Sequence, residues 1–118
     1  MPHLHDDAQV PRRVPAEKRE QILLDVRQYI DASRFEPGCV AYRWSADLSE
    51  PGIIYVFEQW TDEASLLKHF QCSPYQNTLK MFEAIGILET EVDKYRVDLV
   101  EPVYDETGIP RADFFTAN

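Results

Sequence analysis

The stretch IIYVFEQW, Ile53–Trp60, constrains this chain more than any other. Side chains alternate across a strand, so Ile53, Tyr55 and Phe57 fall on one face and Ile54, Val56 and Trp60 on the other. Both faces are apolar. An antiparallel strand with one face in water would alternate apolar with polar residues, so this one needs cover on both sides. Helices can supply one cover. The chain has 118 residues, enough for one domain and one core, which leaves few elements for a second layer. A second copy of the same sheet is the simplest cover, and the pattern therefore predicts a homodimer.

The flanking segments supply the other elements. In PAEKREQILLDVRQYIDASRF, Pro15 suits a first helical turn and Glu17 and Glu20 sit where the helix dipole favours negative charge. Ile22, Val26, Tyr29, Ile30 and Ser33 make one buried stripe at helical spacing. EPG at residues 36–38 stops the helix, and residues 39–45 read as a strand with Val40, Tyr42 and Trp44 on one face. After Trp60, Thr61 caps a short helix. A second helix restarts at SPYQ, with Ser73 as cap, Pro74 in the first turn and Gln76 closing a capping box. Tyr75, Leu79, Phe82 and Ile85 form its stripe and Gly86 its end. Residues 91–101 alternate as a last strand, with Tyr95, Val97 and Leu99 on one face. LHDDAQV is the one candidate for a strand at the start, within an N-terminal arm of residues 1–14. The domain proper spans 15–101. Residues 102–118 form a tail whose Phe114 and Phe115 predict that it docks, on its own domain or on a partner.

Composition removes several functions. With 44% hydrophobic residues the chain is globular, and a net charge of −9 with no basic run argues against nucleic acid. No apolar stretch approaches a membrane span, and the polar N-terminus lacks a signal-peptide core. Cys39 and Cys72 fit free thiols in a reducing cytoplasm. No Gly-rich phosphate loop or zinc spacing occurs, and His3 and His5 read as part of a flexible tail, so no metal site is expected.

Two residues stand out for chemistry. His69 lies at the border of an apolar arc of Ala64, Leu66, Leu67 and Phe70. From there it is either a base at the mouth of a pocket or a core-edge side chain. Glu58 shares a face with Val56 and Trp60, where a carboxylate needs Arg43, Arg96 or Lys94 as partner or becomes a candidate acid or base. Tyr42, Trp44, Tyr55, Phe57, Trp60, Tyr75 and Phe82 are core, with some of them able to line a cavity for a flat apolar ligand.

EPGCVAYRWSAD, YVFEQWTDEASLLKHFQCSPYQ and the closing YRV resemble the antibiotic biosynthesis monooxygenase family. Members join a helix ending in E-P-G-C, a strand ending in E-x-W and a histidine ahead of an S-P turn. The resemblance covers residues 15–101. It implies an α+β ferredoxin-like β-α-β-β-α-β sandwich, two copies of which close sheet to sheet into a homodimeric barrel. It also implies oxidation of small phenols or hydroquinones by molecular oxygen with no cofactor. Trp60 matches the tryptophan of oxidising members, and Val56 stands where they place an asparagine. On this reading His69 deprotonates or orients the substrate beside Trp60 and Glu58. Tyr42, Tyr55, Phe57, Tyr75 and Phe82 are then the candidates to line its site. The positions that haem-degrading relatives use for Asn, Trp and His hold other residues, so haem is not expected. HFQCSPYQ also resembles isomerases of small carbonyl or sugar compounds in the wider superfamily. A dimeric ligand-binding protein without catalysis is the third reading.

Overall fold

The computed structural model describes residues 3–5, 12–86 and 89–116. Pro15 opens a 3-10 turn, Ala16–Lys18, that runs into helix α1 (Arg19–Ser33). Its buried residues are Ile22, Val26, Ile30 and Ser33, with Tyr29 half-buried, so the helical spacing in the sequence marks the face that packs. Gly38, at a φ of 82°, then turns the chain into β3 (Cys39–Ala46). Arg34 donates from Nε to the Tyr42 carbonyl at 2.9 Å and ties the helix end to that strand.

β3 pairs antiparallel with β4 (Ile53–Trp60), placing Tyr42 opposite Glu58 and Trp44 opposite Val56. The register slips between Cys39 and Ala41, and Val40 is the extra residue. This bulge turns Val40 outward, at 54% exposure, instead of leaving it on the face of Tyr42 and Trp44. Cys39 packs inward with the core that contains Trp60.

Helix α2 (Glu63–Gln71) is capped by Asp62, not Thr61. The Asp62 carboxylate accepts the Ser65 amide at 2.7 Å. In α3 (Ser73–Ile85) Ser73 is already helical and Cys72 stands at the cap without a side-chain bond. The expected capping box is replaced by Gln76 Nε2 donating to the Phe70 carbonyl at 2.7 Å, which joins the two helices. Thr78 and Phe82 are the fully buried residues of α3, with Tyr75, Leu79 and Ile85 half-buried. Gly86 ends the helix in a left-handed conformation, as expected.

The outer strands are built in pieces. β1 (His3–His5) and β2 (Arg12–Arg13) both run antiparallel along β4, with Leu4 opposite Trp60 and Arg12 opposite Ile54. Of the candidate strand LHDDAQV, Leu4 and His5 lie in β1, and residues 6–10 lie outside the described residues. His3 and His5 therefore belong to a strand, not to a loose tail. β5 (Glu89–Thr90) pairs with β2, and β6 (Tyr95–Val97) pairs with β1. The long last strand expected over 91–101 shortens to β6, and Tyr95 and Leu99 are exposed.

Across the sheet the order is β3, β4, then β1 with β2, then β6 with β5. This is the α+β ferredoxin-like arrangement with its first and last strands each split in two. Ile54, Val56, Glu58 and Trp60 point to the buried face. There Val26, Ile30, Tyr42 and Leu66 pack on Trp60, while Val14, Ile22 and Phe82 pack on Ile54. On the opposite face Tyr55, Phe57 and Gln59 are only half-buried.

Among the described residues the tail forms an arm bonded chiefly to itself. Asp105 donates its amide to Ile109 at 3.0 Å and Arg111 donates to the Val103 carbonyl at 2.8 Å. The Glu101 carboxylate accepts the amides of Phe115 and Thr116. Val100, Val103, Tyr104, Ile109 and Phe114 stay exposed on this arm.

Candidate active site

The last turn of α2 carries His69 over the end of β4. Sequence spacing puts the ring at the rim of an apolar arc, but the helix is rotated so that Leu66 and His69 face inward. Leu67, at 59% exposure, and Phe70, at 36%, face out. The physical reason is the set of partners waiting for the imidazole. His69 is 0% exposed, with its Nδ1 2.9 Å from Glu36 Oε1 and its Nε2 3.6 Å from Glu58 Oε1. Trp60, Tyr42, Tyr75 and Phe70 surround the ring, with centroids 4.6, 5.4, 5.3 and 5.8 Å away.

The protons can be placed from these contacts. Burial pushes the His69 imidazole below its ordinary pKa, against the opposing pull of the Glu36 carboxylate, so the ring is neutral near pH 7. A carboxylate only accepts, so Nδ1–H donates to Glu36 and Nε2 keeps a bare lone pair. Glu58 lies beyond hydrogen-bond reach of Nε2, and its Oε1 already accepts the Trp60 indole N–H at 3.1 Å. Among the described residues Nε2 is thus a fully buried nitrogen without a hydrogen-bond partner, and the Oε2 of Glu36 likewise has none. A neutral imidazole oriented through one nitrogen and open at the other is the arrangement of a general base.

The fold brings together His69, Glu58, Trp60, Tyr42 and Tyr75 from the sequence candidates. It separates the other three. Tyr55 and Phe57 project from the opposite face of β4, where Asp47 engages the Tyr55 hydroxyl. Phe82 belongs to the second core cluster and stacks on Trp44 at 5.6 Å. Glu58, at 6% exposure, has the Trp60 indole and the His69 ring beside it.

Glu36 is the residue that sequence reasoning missed. Its signal was present in the E-P-G turn, where an acidic residue follows a helix and precedes a strand, but its partner lies 33 positions away. Cys39 and Cys72 border the same carboxylate. Burial first, then the charge of Glu36, raises both thiols, so they stay protonated and are weak nucleophiles. Among the described residues no three His, Cys, Asp or Glu side chains are grouped to hold a metal ion. No helix among them is long and apolar enough to cross a membrane.

Comparison with known proteins agrees with this architecture. Residues 9–81 match the sequence pattern of the family described as Antibiotic biosynthesis monooxygenase. The "Putative monooxygenase YcnE" of Bacillus subtilis (strain 168) is 30% identical over 91 residues, 75% of this chain and 92% of that protein. The "Uncharacterized protein sll1783" of Synechocystis is 36% identical over 63 residues, 53% of this chain, and the match spans 42% of its own length. Among solved structures, an antibiotic biosynthesis monooxygenase of Deinococcus radiodurans, itself named only as putative, superposes with a TM-score of 0.75 at 19% identity. That match covers 89% of this chain and all (100%) of the other. A conserved protein of Methanosarcina mazei Go1 gives 0.69 at 24% identity over 82% and 92% of the two chains. These last two show the fold. The chain belongs to the antibiotic biosynthesis monooxygenase family.

Proposed function

We propose that the protein is a cofactor-independent monooxygenase that oxidises a small phenolic or hydroquinone compound with molecular oxygen, working as a homodimer in the cytoplasm. The observation that carries this reading is the buried neutral His69, oriented by Glu36 through Nδ1 and walled by Trp60, Tyr42 and Tyr75. Nε2 takes the hydroxyl proton of the substrate, and the imidazolium so formed is stabilised by Glu36 at 2.9 Å. The phenolate is the electron donor. It reduces oxygen, one oxygen atom is added to the ring carbon, and the second leaves as water, so that phenol plus O2 gives quinone plus water.

The family match and the name of the Bacillus relative support oxygen chemistry at this coarse level. The test is oxygen uptake and quinone formation with a panel of naphthols, comparing wild type with His69→Gln. Loss of the base is expected to lower kcat/KM by about 10²–10⁴-fold. Turnover that continues undiminished without oxygen would instead indicate the same base acting on an enolisable carbonyl compound.

A further inference from the structure

β3 lies at one border of the sheet, and among the described residues it pairs with β4 alone. Two hollows follow its outer edge. The first, of about 430 Å³, is lined by Arg34, Arg43 and the consecutive residues 39–42. The second, of about 290 Å³, is lined by residues 44–46 with Arg27, Asp31 and Arg34 from α1 and its end. A hollow on a sheet face takes every second residue of a strand. These two take all 8 residues of β3 in turn, so they form one trench along its edge. Arg34 lines both halves and donates from Nε to the Tyr42 carbonyl at 2.9 Å. An edge of this length is a template for a further strand. Charge decides which strand fits. Three arginines face one carboxylate, Asp31, which is already 3.6 Å from Arg34. The trench is basic in a chain of net charge −9.

We propose that the occupant is residues 98–104 of a second copy, added to β3 as an extra strand, with each copy giving its arm to the other. The proposal rests on the homodimer named above and adds the surface that holds it. Between Asp98 and Glu106 the chain carries Asp98, Glu101, Asp105 and Glu106 and no lysine or arginine. Leu99, Val100, Val103 and Tyr104 are exposed there, and residues 99–102 form neither helix nor strand within their own chain. In that chain the segment leaves β6, at the opposite border of the sheet from β3. Val40, turned outward by the bulge, gives the incoming side chains an apolar contact at the trench. Main-chain bonds supply the affinity of such an added strand. Pro102, which has no amide donor, is tolerated because the added strand becomes the new edge. The incoming strand takes over the Tyr42 carbonyl and leaves Arg34 to a carboxylate.

The test mixes isotope-labelled and unlabelled full-length copies, so that filtered NMR reads contacts between copies alone. Contacts are expected from the methyls of Leu99, Val100 and Val103 to Val40 and Ala41. The double variant Arg27→Glu/Arg43→Glu and the single variant Val100→Pro are each expected to raise the dimer dissociation constant about tenfold or more, read by sedimentation. Combined, they should cost less than the sum of the two, because both act on one contact. A dimer without these contacts, or one indifferent to both variants, overturns the added strand and leaves the homodimer standing. A wild type that stays monomeric overturns both. Contacts of the arm with β3 within one copy, absent between copies, overturn the exchange. A dimer that shows the contacts but oxidises no naphthol sustains the added strand and refutes the monooxygenase reading.

Discussion

A histidine sealed from water can act as a base only if its one proton is held at the far nitrogen, and Glu36 holds it there. Glu36→Gln replaces an acceptor by an amide that can also donate, so the tautomer is no longer fixed. We expect kcat/KM to fall at least about tenfold with the protein still folded, and its pH profile to move, which a purely structural contact would not cause. The depressed His69 pKa also makes a stability prediction. The unfolded imidazole titrates near ~6.5, the folded one lower, so between those values the unfolded chain binds more protons. The contribution of neutral His69 is complete above about pH 6.5 and declines as pH falls toward the folded value. Its greatest slope is about 1.4 kcal/mol per pH unit. Urea denaturation at pH 7.5 and 5.5 should show wild type losing more stability than His69→Gln. Equal losses would mean that His69 is not buried neutral. His69 itself was legible as an anomaly in the sequence. Its full enclosure was not, because the carboxylate that orients it comes from another element.

At the scale of elements, the sequence recorded burial where a fixed period meets a packed face, as in the stripe of α1 and in Ile54, Val56 and Trp60 on one face of β4. The alternation of Tyr95 and Leu99 carried no such burial, and both are exposed. The sequence failed where a single contact decides. The apolar Leu67 and Phe70 outweigh His69 in any periodicity, yet α2 turns the polar residue inward to meet Glu36 and Trp60. The bulge at Val40 and the division of the outer strands depend on partners remote in sequence. The caps give a clean comparison. Asp62→Ala removes a bond to the Ser65 amide and should lower stability measurably, while Ser73→Ala, which removes no capping bond, should cost far less. Thermal denaturation of the two variants checks this, and equal losses would restore Ser73 as a cap. Gly38 is a stricter case. A Cβ there would overlap the Ser65 side chain at a φ of +82°, whereas at Gly86 it would meet nothing within 4 Å. Gly38→Ala should destabilise by more than the roughly 1 kcal/mol expected at Gly86, and should loosen the turn that presents Glu36.

At the scale of the molecule, the chain is longer than a compact domain of its size. Its radius of gyration is 16.5 Å, against about 13.5 Å expected for 118 residues folded compactly. The arm after the sheet carries exposed Val103, Tyr104, Ile109 and Phe114, and the half-buried Tyr55 and Phe57 present a second apolar surface. Both fit a homodimer in which sheets face one another and the arm lies on the partner, burying on the order of 2,000 Å². Light scattering at micromolar concentration should give twice the chain mass, and removal of residues 102–118 should weaken the dimer. A stable monomer would contradict the pairing.

In the proposed reaction a neutral, buried His69 starts the oxidation by removing a hydroxyl proton. An oxygen electrode with 1-naphthol in metal-free buffer, comparing wild type with His69→Gln and identifying product by mass, reads that step. Wild type is expected to consume one O2 per quinone formed, and the folded variant to lose about 10²-fold or more of that rate. Equal rates in the two proteins, or a wild type that takes up no oxygen with any naphthol tested, would contradict it.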